Sequence, residues 1–361
     1  MTIIDSGTDE STSSAPDMTG AVREYYGQTL SSSADLKTGA CCSPDAMPAH
    51  VRALFPLLHD EVKDRFYGCG SPIPPALEGA TVLDLGCGAG RDVYLLSNLV
   101  GEAGQVTGVD MTPEQLAVAR RHREHHAQVF GHAKSNVAFV QGDLSDLAAL
   151  GIEPATVDLI VSNCVLNLVP DKARAFASAL AALKPGGELY FADVYADRRL
   201  PPELLADPEL VGECLAGALY EEDFRRLMHR LGVADIRVVA RTPVPLLDAR
   251  IEQRIGFATF ESVTYRVFKL DLEDRCEDYG EVATYLGTLP ECPHAFVLDD
   301  HHVFEAHRPL RVCSNTADML ARSRYSRHFR IDGNRSRHFG LFECGADTAT
   351  VATLGSPAPC C

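Results

Sequence analysis

The chain holds twelve cysteines, none of them in a C-x-x-C pair. That spacing disfavours a zinc ribbon or a thioredoxin-type site, whereas dispersed thiols in such number suit soft-ion binding or redox work. Four of them fall where a ligand could be met. Cys42 lies in the segment Asp35–Ser43, which has no apolar periodicity, and Cys69 lies in Gly68-Cys69-Gly70-Ser71-Pro72, read as a flexible loop outside the core. Cys164 follows Asn163 at the end of an apolar run, and Cys214 stands in Gly212-Glu213-Cys214-Leu215-Ala216-Gly217-Ala218. Position alone does not separate a ligand role from that of a small buried hydrophobe, which free cysteine commonly fills.

A second constellation is Asp84-Leu85-Gly86-Cys87-Gly88-Ala89-Gly90, where an apolar strand breaks into three glycines at alternate positions and runs into the helical pattern Asp92–Leu96. Glycine has no Cβ and accepts positive φ, so such a turn lets backbone pass close to a ligand. The helix behind it presents free N–H groups. The spacing matches neither the dinucleotide fingerprint nor the phosphate loop. Three further strands end in polar residues: Val106–Asp110, Val137–Gln141 followed by Gly142-Asp143-Leu144, and Val157–Asn163. Between the first two, Thr112-Pro113-Glu114-Gln115 opens a helix with Thr as N-cap and Pro at N1.

These residues need a scaffold that brings strand ends together. Strands and helices alternate to about residue 195, with an apolar helical pattern at 45–67 ahead of them and a helix Ala173–Leu183 stopped by Pro185-Gly186-Gly187 before the strand Glu188–Val194. Alternation of this kind predicts an α/β fold: a Rossmann-like parallel sheet with helices on both faces, binding ligands beyond the carboxyl ends of its strands. After about residue 240 separated β-type runs, among them Phe257–Phe268 and Ala295–Leu298, predict a smaller C-terminal α+β domain. The expected division is a disordered segment 1–20, a first domain 21–240, a second 241–345 and a flexible tail 346–361 ending in Cys360-Cys361.

Composition narrows the partners. A net charge of −17 argues against nucleic acid and against oxyanion substrates, and leaves room for a neutral substrate and a cationic cofactor. The sequence lacks any apolar run near the roughly 20 residues of a membrane span, and its Ser/Thr/Asp/Glu-rich start does not read as a signal peptide. A cytoplasmic protein, a monomer, without nucleic-acid or membrane partners, is the expectation. His122, His125 and His126 read as a solvated helix face, and Asp299-Asp300-His301-His302 as structural rather than metal-binding.

The strand-borne D-x-G-x-G-x-G turn resembles motif I of the class I S-adenosylmethionine (SAM) methyltransferases. In that frame Asp110 is placed to accept from the ribose hydroxyls and Asp143 from the adenine amino group. More specifically, Tyr25-Tyr26-Gly27, Asp35-Leu36-Lys37-Thr38 with Cys41-Cys42, Tyr67-Gly68-Cys69-Gly70, Ser162-Asn163-Cys164-Val165-Leu166-Asn167-Leu168 and the Cys214 segment are similar to the arsenite SAM methyltransferase family, as are Ala283–Thr288 and Leu298–Phe304. The resemblance covers about residues 21–330. It implies arsenite and methylarsonous acid as substrates, held by Cys42, Cys69, Cys164 and Cys214. It implies SAM as methyl donor, bound by Tyr26, Gly27, Asp84, Gly86, Gly88, Gly90, Asp110, Met111, Asp143, Leu144 and Asn163, and a thiol reductant such as thioredoxin or glutathione. Within it Cys42 delivers inorganic arsenite and pairs with Cys69 between turnovers. Cys87, inside the glycine turn, departs from many members and is expected to pack without a substrate role. The alternatives are a SAM methyltransferase acting on a small organic metabolite, which would not need these thiols, and a thiol-rich arsenic-binding protein without turnover.

Overall fold

The computed structural model describes residues 47–343 and Gly20. Tyr26, Gly27, Cys42, the rest of segment 1–20 and the tail 346–361 with Cys360 and Cys361 lie outside the described residues.

The apolar pattern at 45–67 folds as short pieces instead of one helix: α1 (Ala49–Arg52), a 3₁₀ turn Phe55–Leu57 and α2 (Asp60–Asp64). Pro56 sits in that turn and lacks the N–H a continuing helix would require. Val51, Leu58 and Val62 are nevertheless buried in the core beside the sheet. Alternation follows through β1 (Thr81–Leu85), α3 (Arg91–Val100), β2 (Gln105–Asp110), α4 (Pro113–Arg121), α5 (Arg123–Phe130), β3 (Val137–Gln141), β4 (Val157–Asn163), α6 (Lys172–Ala182) and β5 (Leu183–Ala196). These five strands are parallel, in the order β3-β2-β1-β4-β5. Central β1 and β4 are covered on both faces, which is why Val82-Leu83 and Leu159-Ile160-Val161 stand as consecutive apolar residues instead of alternating with polar ones.

Pro185-Gly186-Gly187 does not separate helix from strand as expected; α6 ends at Ala182 and β5 already begins at Leu183. Gly186 takes φ +78° and its N–H donates to the Lys269 carbonyl, so the three residues form an irregular stretch of strand. Beyond β5 come α7 (Pro208–Gly212), β6 (Leu219–Tyr220), α8 (Glu221–Arg230), β7 (Arg237–Pro243), α9 (Ala249–Ile255) and β8 (Phe260–Phe268). β8 runs antiparallel to β5 over nine paired residues, and β7 pairs antiparallel with β8. The boundary expected at 240/241 therefore falls inside β7, and the run Phe257–Phe268 contributes to the first sheet, not to a second domain. Strands that reach a sheet through a long connection carry no local signal that assigns them to one whose other strands are parallel.

The smaller unit follows β8. It holds β9 (Val282–Tyr285), the hairpin β10 (Ala295–Val297) and β11 (Val303–Glu305), β12 (Pro309–Arg311), α10 (Ser314–Ala321) and β13 (Phe329–Asp332), with antiparallel order β12-β9-β13. Tyr285, Phe296, Phe304, Tyr325 and Phe329 fill its core. Glu188 of β5, fully buried, ties the two units: it accepts from Arg266 Nε at 2.5 Å and from Arg324, while Arg266 donates to the Leu298 carbonyl at 2.6 Å. Asp299 accepts from Arg237 at 2.9 Å and lies 2.8 Å from His302 Nδ1, so its carboxylate holds the hairpin loop to β7. None of the helices among the described residues is long and apolar enough to cross a membrane.

Of the three histidines at the α4–α5 junction and in α5, His125 is exposed as expected, whereas His122 and His126 correct the expectation of a solvated face. His122 and His126 are buried, and the His126 ring stacks on Tyr94 at 3.6 Å between centroids. Its Nε2 accepts from the His59 backbone N–H at 3.2 Å and its Nδ1 lies 2.8 Å from the His122 carbonyl, which satisfies a neutral ring completely. Burial holds the imidazole down to about 4, against a usual 6.5. Below about 6.5 the unfolded chain takes up a proton that the folded chain refuses, so folded stability falls as pH drops toward 4. We expect this to cost the wild type about 3 kcal/mol across that window. Chemical denaturation of wild type and His126→Phe at a series of pH values checks it: the variant's stability should improve relative to wild type as pH falls, and a pH-independent difference would contradict the assignment.

Candidate active site

The glycine turn is shaped by backbone conformations that side chains resist. Gly86, Gly88 and Gly90 take φ of +73°, +52° and +89°. A Cβ on Gly86 would lie 2.3 Å from Val165, whereas beside Gly88 there is open room. The turn is fastened from β2: the Gly86 N–H donates to the Val109 carbonyl at 2.7 Å, and Asp110 accepts from the Gly88 N–H at 2.8 Å and from the Thr112 N–H at 2.8 Å. Asp110 thus sets both the turn and the start of α4. Burial pushes its carboxyl up despite these N–H bonds. Asp84 beneath the turn is buried, and burial together with the neighbouring Asp92 and Asp110 raises its carboxyl well above the usual range.

A cleft opens over this edge. It is lined by Asp84, Gly86, Gly88, Asp110, Met111, Asp143, Leu144 and Asn163, all expected from the sequence, and by Phe66, Arg91, Thr112, Gln115 and Cys164. Asp143 caps a 3₁₀ turn, accepting from the Ser145 N–H and hydroxyl at 2.8 Å each. Arg91 and Asp92 form a buried ion pair at the first turn of α3, with the Arg91 guanidinium over the Phe66 ring. Sequence reasoning gave Arg91, Phe66, Thr112 and Gln115 no part in the cleft. An Arg-Asp pair directly behind the third glycine was the available signal, since charges at that point must either leave the fold or find one another.

Three of the four expected thiols converge at the end of β4 and β5. Cys69 and Cys164 are joined in a disulfide, S–S 2.00 Å, and Cys214 Sγ lies 3.6 Å from the Cys164 carbonyl. All three share an apolar cluster with Leu210, Leu215, Ile251 and Phe260. The partner of Cys69 in this structure is Cys164, in place of the expected Cys42, which lies outside the described residues. Nor is the Gly68–Pro72 loop a flexible exterior loop. Cys69 is 1% exposed, and the Asn163 side chain accepts from the Gly70 N–H at 3.0 Å and donates to the Gly70 carbonyl at 2.7 Å. A Cβ on Gly68 would meet Asn163 at 2.5 Å, and one on Gly70 would meet Ala192 at 2.6 Å, so the glycines permit close approach here. Asn163 also donates to Asp92 at 3.1 Å, so its amide joins the thiol loop to the helix behind the glycine turn. Cys164 and Cys214 take φ of +57° and +61°, a region that L-residues avoid and that persists only where surroundings enforce it. Cys87 packs against Gly108, where an added Cβ would come within 2.7 Å of its Sγ, and burial pushes its thiol well up. That environment favours an inert thiol.

Known protein families match both the first sheet and the smaller unit. A family described as "Methyltransferase domain" matches residues 77–232, and one described as "Arsenite methyltransferase C-terminal domain" matches residues 279–353. The chain is 53% identical over 327 residues to an arsenite methyltransferase of Aquipseudomonas alcaligenes, covering 90% of this chain and 94% of that one. It is 40% identical over 314 residues to the human arsenite methyltransferase, covering 86% and 82%. Among solved structures, the arsenic(III) SAM methyltransferase of Chlamydomonas reinhardtii superposes with a TM-score of 0.80 at 49% identity, over 82% of this chain and 100% of that one. The chain belongs to the arsenite methyltransferase family of SAM-dependent enzymes.

Proposed function

We propose that this protein transfers methyl groups from SAM to trivalent arsenic held by the thiolates of Cys69, Cys164 and Cys214, with Cys42 delivering inorganic arsenite. The observation that carries the reading is the convergence of three thiols, drawn from segments far apart in sequence, on the strand ends that border the glycine-turn cleft.

The residues present fit SAM. Open room beside Gly88, a carboxylate at the end of β2 and a second at the end of β3 suit a cofactor with a ribose and an adenine, and Asp84, Gly86, Gly88, Asp110, Met111, Asp143, Leu144 and Asn163 would hold it. Tyr26 and Gly27 join that set by resemblance. When bound, SAM supplies an electrophilic methyl group on a sulfonium centre, which the arsenic lone pair takes up.

The protein's own contribution is position. Arsenous acid exchanges its hydroxyls for thiolates, each thiol proton leaving with a hydroxyl as water, so capture is proton-neutral while the thiols are protonated and weakens once pH rises past the thiol range. The arsenic is itself the nucleophile, and no general base is needed. Alignment in a near-attack geometry is worth about 7–11 kcal/mol. Methyl addition takes two electrons from arsenic, and two protein thiolates leaving as a disulfide return them. The Cys69–Cys164 bond supports that pair as the redox couple. Its reopening takes two electrons and two protons from a thiol reductant, for which thioredoxin or glutathione is suited. Such chemistry fits a reducing compartment such as the cytoplasm. Mono- and dimethylated arsenicals are the expected products, with a trimethyl product as the limit of repeated turnover.

Incubating the reduced protein with SAM and arsenite, and resolving arsenic species by chromatography with elemental detection, tests this directly. Methylated arsenic is expected; arsenic retained unmethylated would leave a binding protein. In the same assay Cys164→Ser should lose methylation of both arsenite and methylarsonous acid by at least about a hundredfold, and full activity on both would overturn the assignment. Cys42→Ser should lose only the arsenite reaction. Asp110→Ala, which strips the Gly88 and Thr112 N–H groups of their acceptor, should weaken SAM binding by about tenfold or more, roughly 1.4 kcal/mol, in a calorimetric titration.

A further inference from the structure

Asp193 stands at the carboxyl end of β5, 1% exposed, behind the thiols. Its carboxylate accepts from the Asn167 backbone N–H at 3.0 Å, from Asn167 Nδ2 at 2.7 Å and from the Val194 N–H at 2.9 Å. Asn167 lies in the 3₁₀ turn Leu166–Leu168, three residues past Cys164, and its Nδ2 also donates to the Val194 carbonyl. On the far side of Asn167 runs the loop of Cys214. Gly217 passes so close that an added Cβ would lie 2.3 Å from the Asn167 carbonyl oxygen. The contact path Asp193–Asn167–Gly217 thus connects β5 with both thiol-bearing segments, whose cysteines occupy strained left-handed conformations.

We propose that Asp193 and Asn167 are positioning residues, a clamp that fixes the separation of Cys164 and Cys214 so that one arsenic atom can be gripped by both. The proposal rests on the reading of these two cysteines as arsenic ligands. Neither Asp193 nor Asn167 has to touch substrate. A carboxylate accepting three N–H groups in a dry environment resists rotation, because every alternative leaves buried donors unpaired. The glycine at 217 is required because any side chain there would wedge the Cys214 loop away from the turn. Left unclamped, the two turns would relax from positive φ, and the thiols would separate.

The test is a titration of the reduced, full-length protein with phenylarsine oxide, which bridges two thiols, with the remaining thiols counted by a chromogenic disulfide. It is run at about pH 8, above the value of about 7 to which burial pushes the Asp193 carboxyl. Wild type should protect two thiols, lost as a pair in Cys164→Ser and in Cys214→Ser. Asp193→Asn should bind the arsenical about tenfold more weakly or worse, with SAM affinity within about twofold of wild type. Gly217→Ala, which alters no charge and keeps the Asp193 bonds available, should move the same way and serves if Asp193→Asn does not fold. Glu188→Gln, five residues earlier in β5 and away from the thiol-bearing turns, reports what loss of a buried carboxylate does in general. Unchanged arsenical binding in Asp193→Asn and Gly217→Ala overturns the clamp, and so does an equal loss in Glu188→Gln. A wild type whose protection is unaffected by Cys164→Ser and Cys214→Ser overturns instead the ligand reading on which the clamp rests.

Discussion

The Asn163 amide sits where three parts of the molecule meet. It accepts from and donates to Gly70, which carries the Cys69 loop, and donates to Asp92, whose helix begins at the glycine turn. It is itself the last residue of β4, next to Cys164. One side chain therefore spaces a thiol loop, a thiol strand end and the floor of the cofactor cleft. Its three bonds are buried, and a buried amide left unpaired costs more than the bonds individually contribute. The glycines at 68 and 70 follow from this staple, because the loop can reach Asn163 and Ala192 only without side chains. The disulfide between Cys69 and Cys164 is then a consequence of placement, with two sulfurs held opposite each other by hydrogen bonds that do not involve them.

Polarity is divided across this edge. On the cleft side Asp92 and Asp110 stand close enough to Asp84 to add to burial in raising its carboxyl, and Arg91 partly offsets them. On the thiol side the surroundings are apolar, with Leu210, Leu215, Ile251 and Phe260 packed around the sulfurs. An acidic, polar pocket suits a cation with hydroxyl groups. A dry, soft-ligand pocket suits a neutral metalloid species. The two meet at Cys164, which lines the cleft and belongs to the apolar cluster at once.

The parts legible in the sequence were those encoded locally. Gly86, Gly88, Gly90 and the acids at the ends of β2 and β3 stand in short stretches whose types and spacing imply backbone conformation; the structure places Gly86, Gly88, Asp110 and Asp143 along one cleft, while Gly90 is not among its lining and caps the start of α3. Cys69, Cys164 and Cys214 were legible as candidates through their place at a strand end and on connecting segments together with the motifs shared with the arsenite SAM methyltransferases, since position alone did not separate ligand from buried hydrophobe. What escaped depended on distant partners. β7 and β8 join the first sheet through pairing with β5, and nothing within Phe257–Phe268 says which sheet it will enter. His122 and His126 look polar until α2 and the His59 backbone cover them. The Gly68–Pro72 loop reads as loose because its anchor, Asn163, lies 93 residues away from Gly70. Pro185-Gly186-Gly187 has the composition of a helix stop, yet strand pairing with Lys269 absorbs it.

The central claim is that trivalent arsenic is held by sulfur at the junction of β4, the Gly68–Pro72 loop and the Cys214 loop. Arsenic K-edge absorption on the reduced protein loaded with one equivalent of arsenite examines that bond set directly. The account predicts a first shell of sulfur alone in the wild type, replaced by oxygen when Cys69, Cys164 and Cys214 are all changed to serine. An oxygen shell in the wild type, or a sulfur shell unchanged in the triple variant, would contradict it.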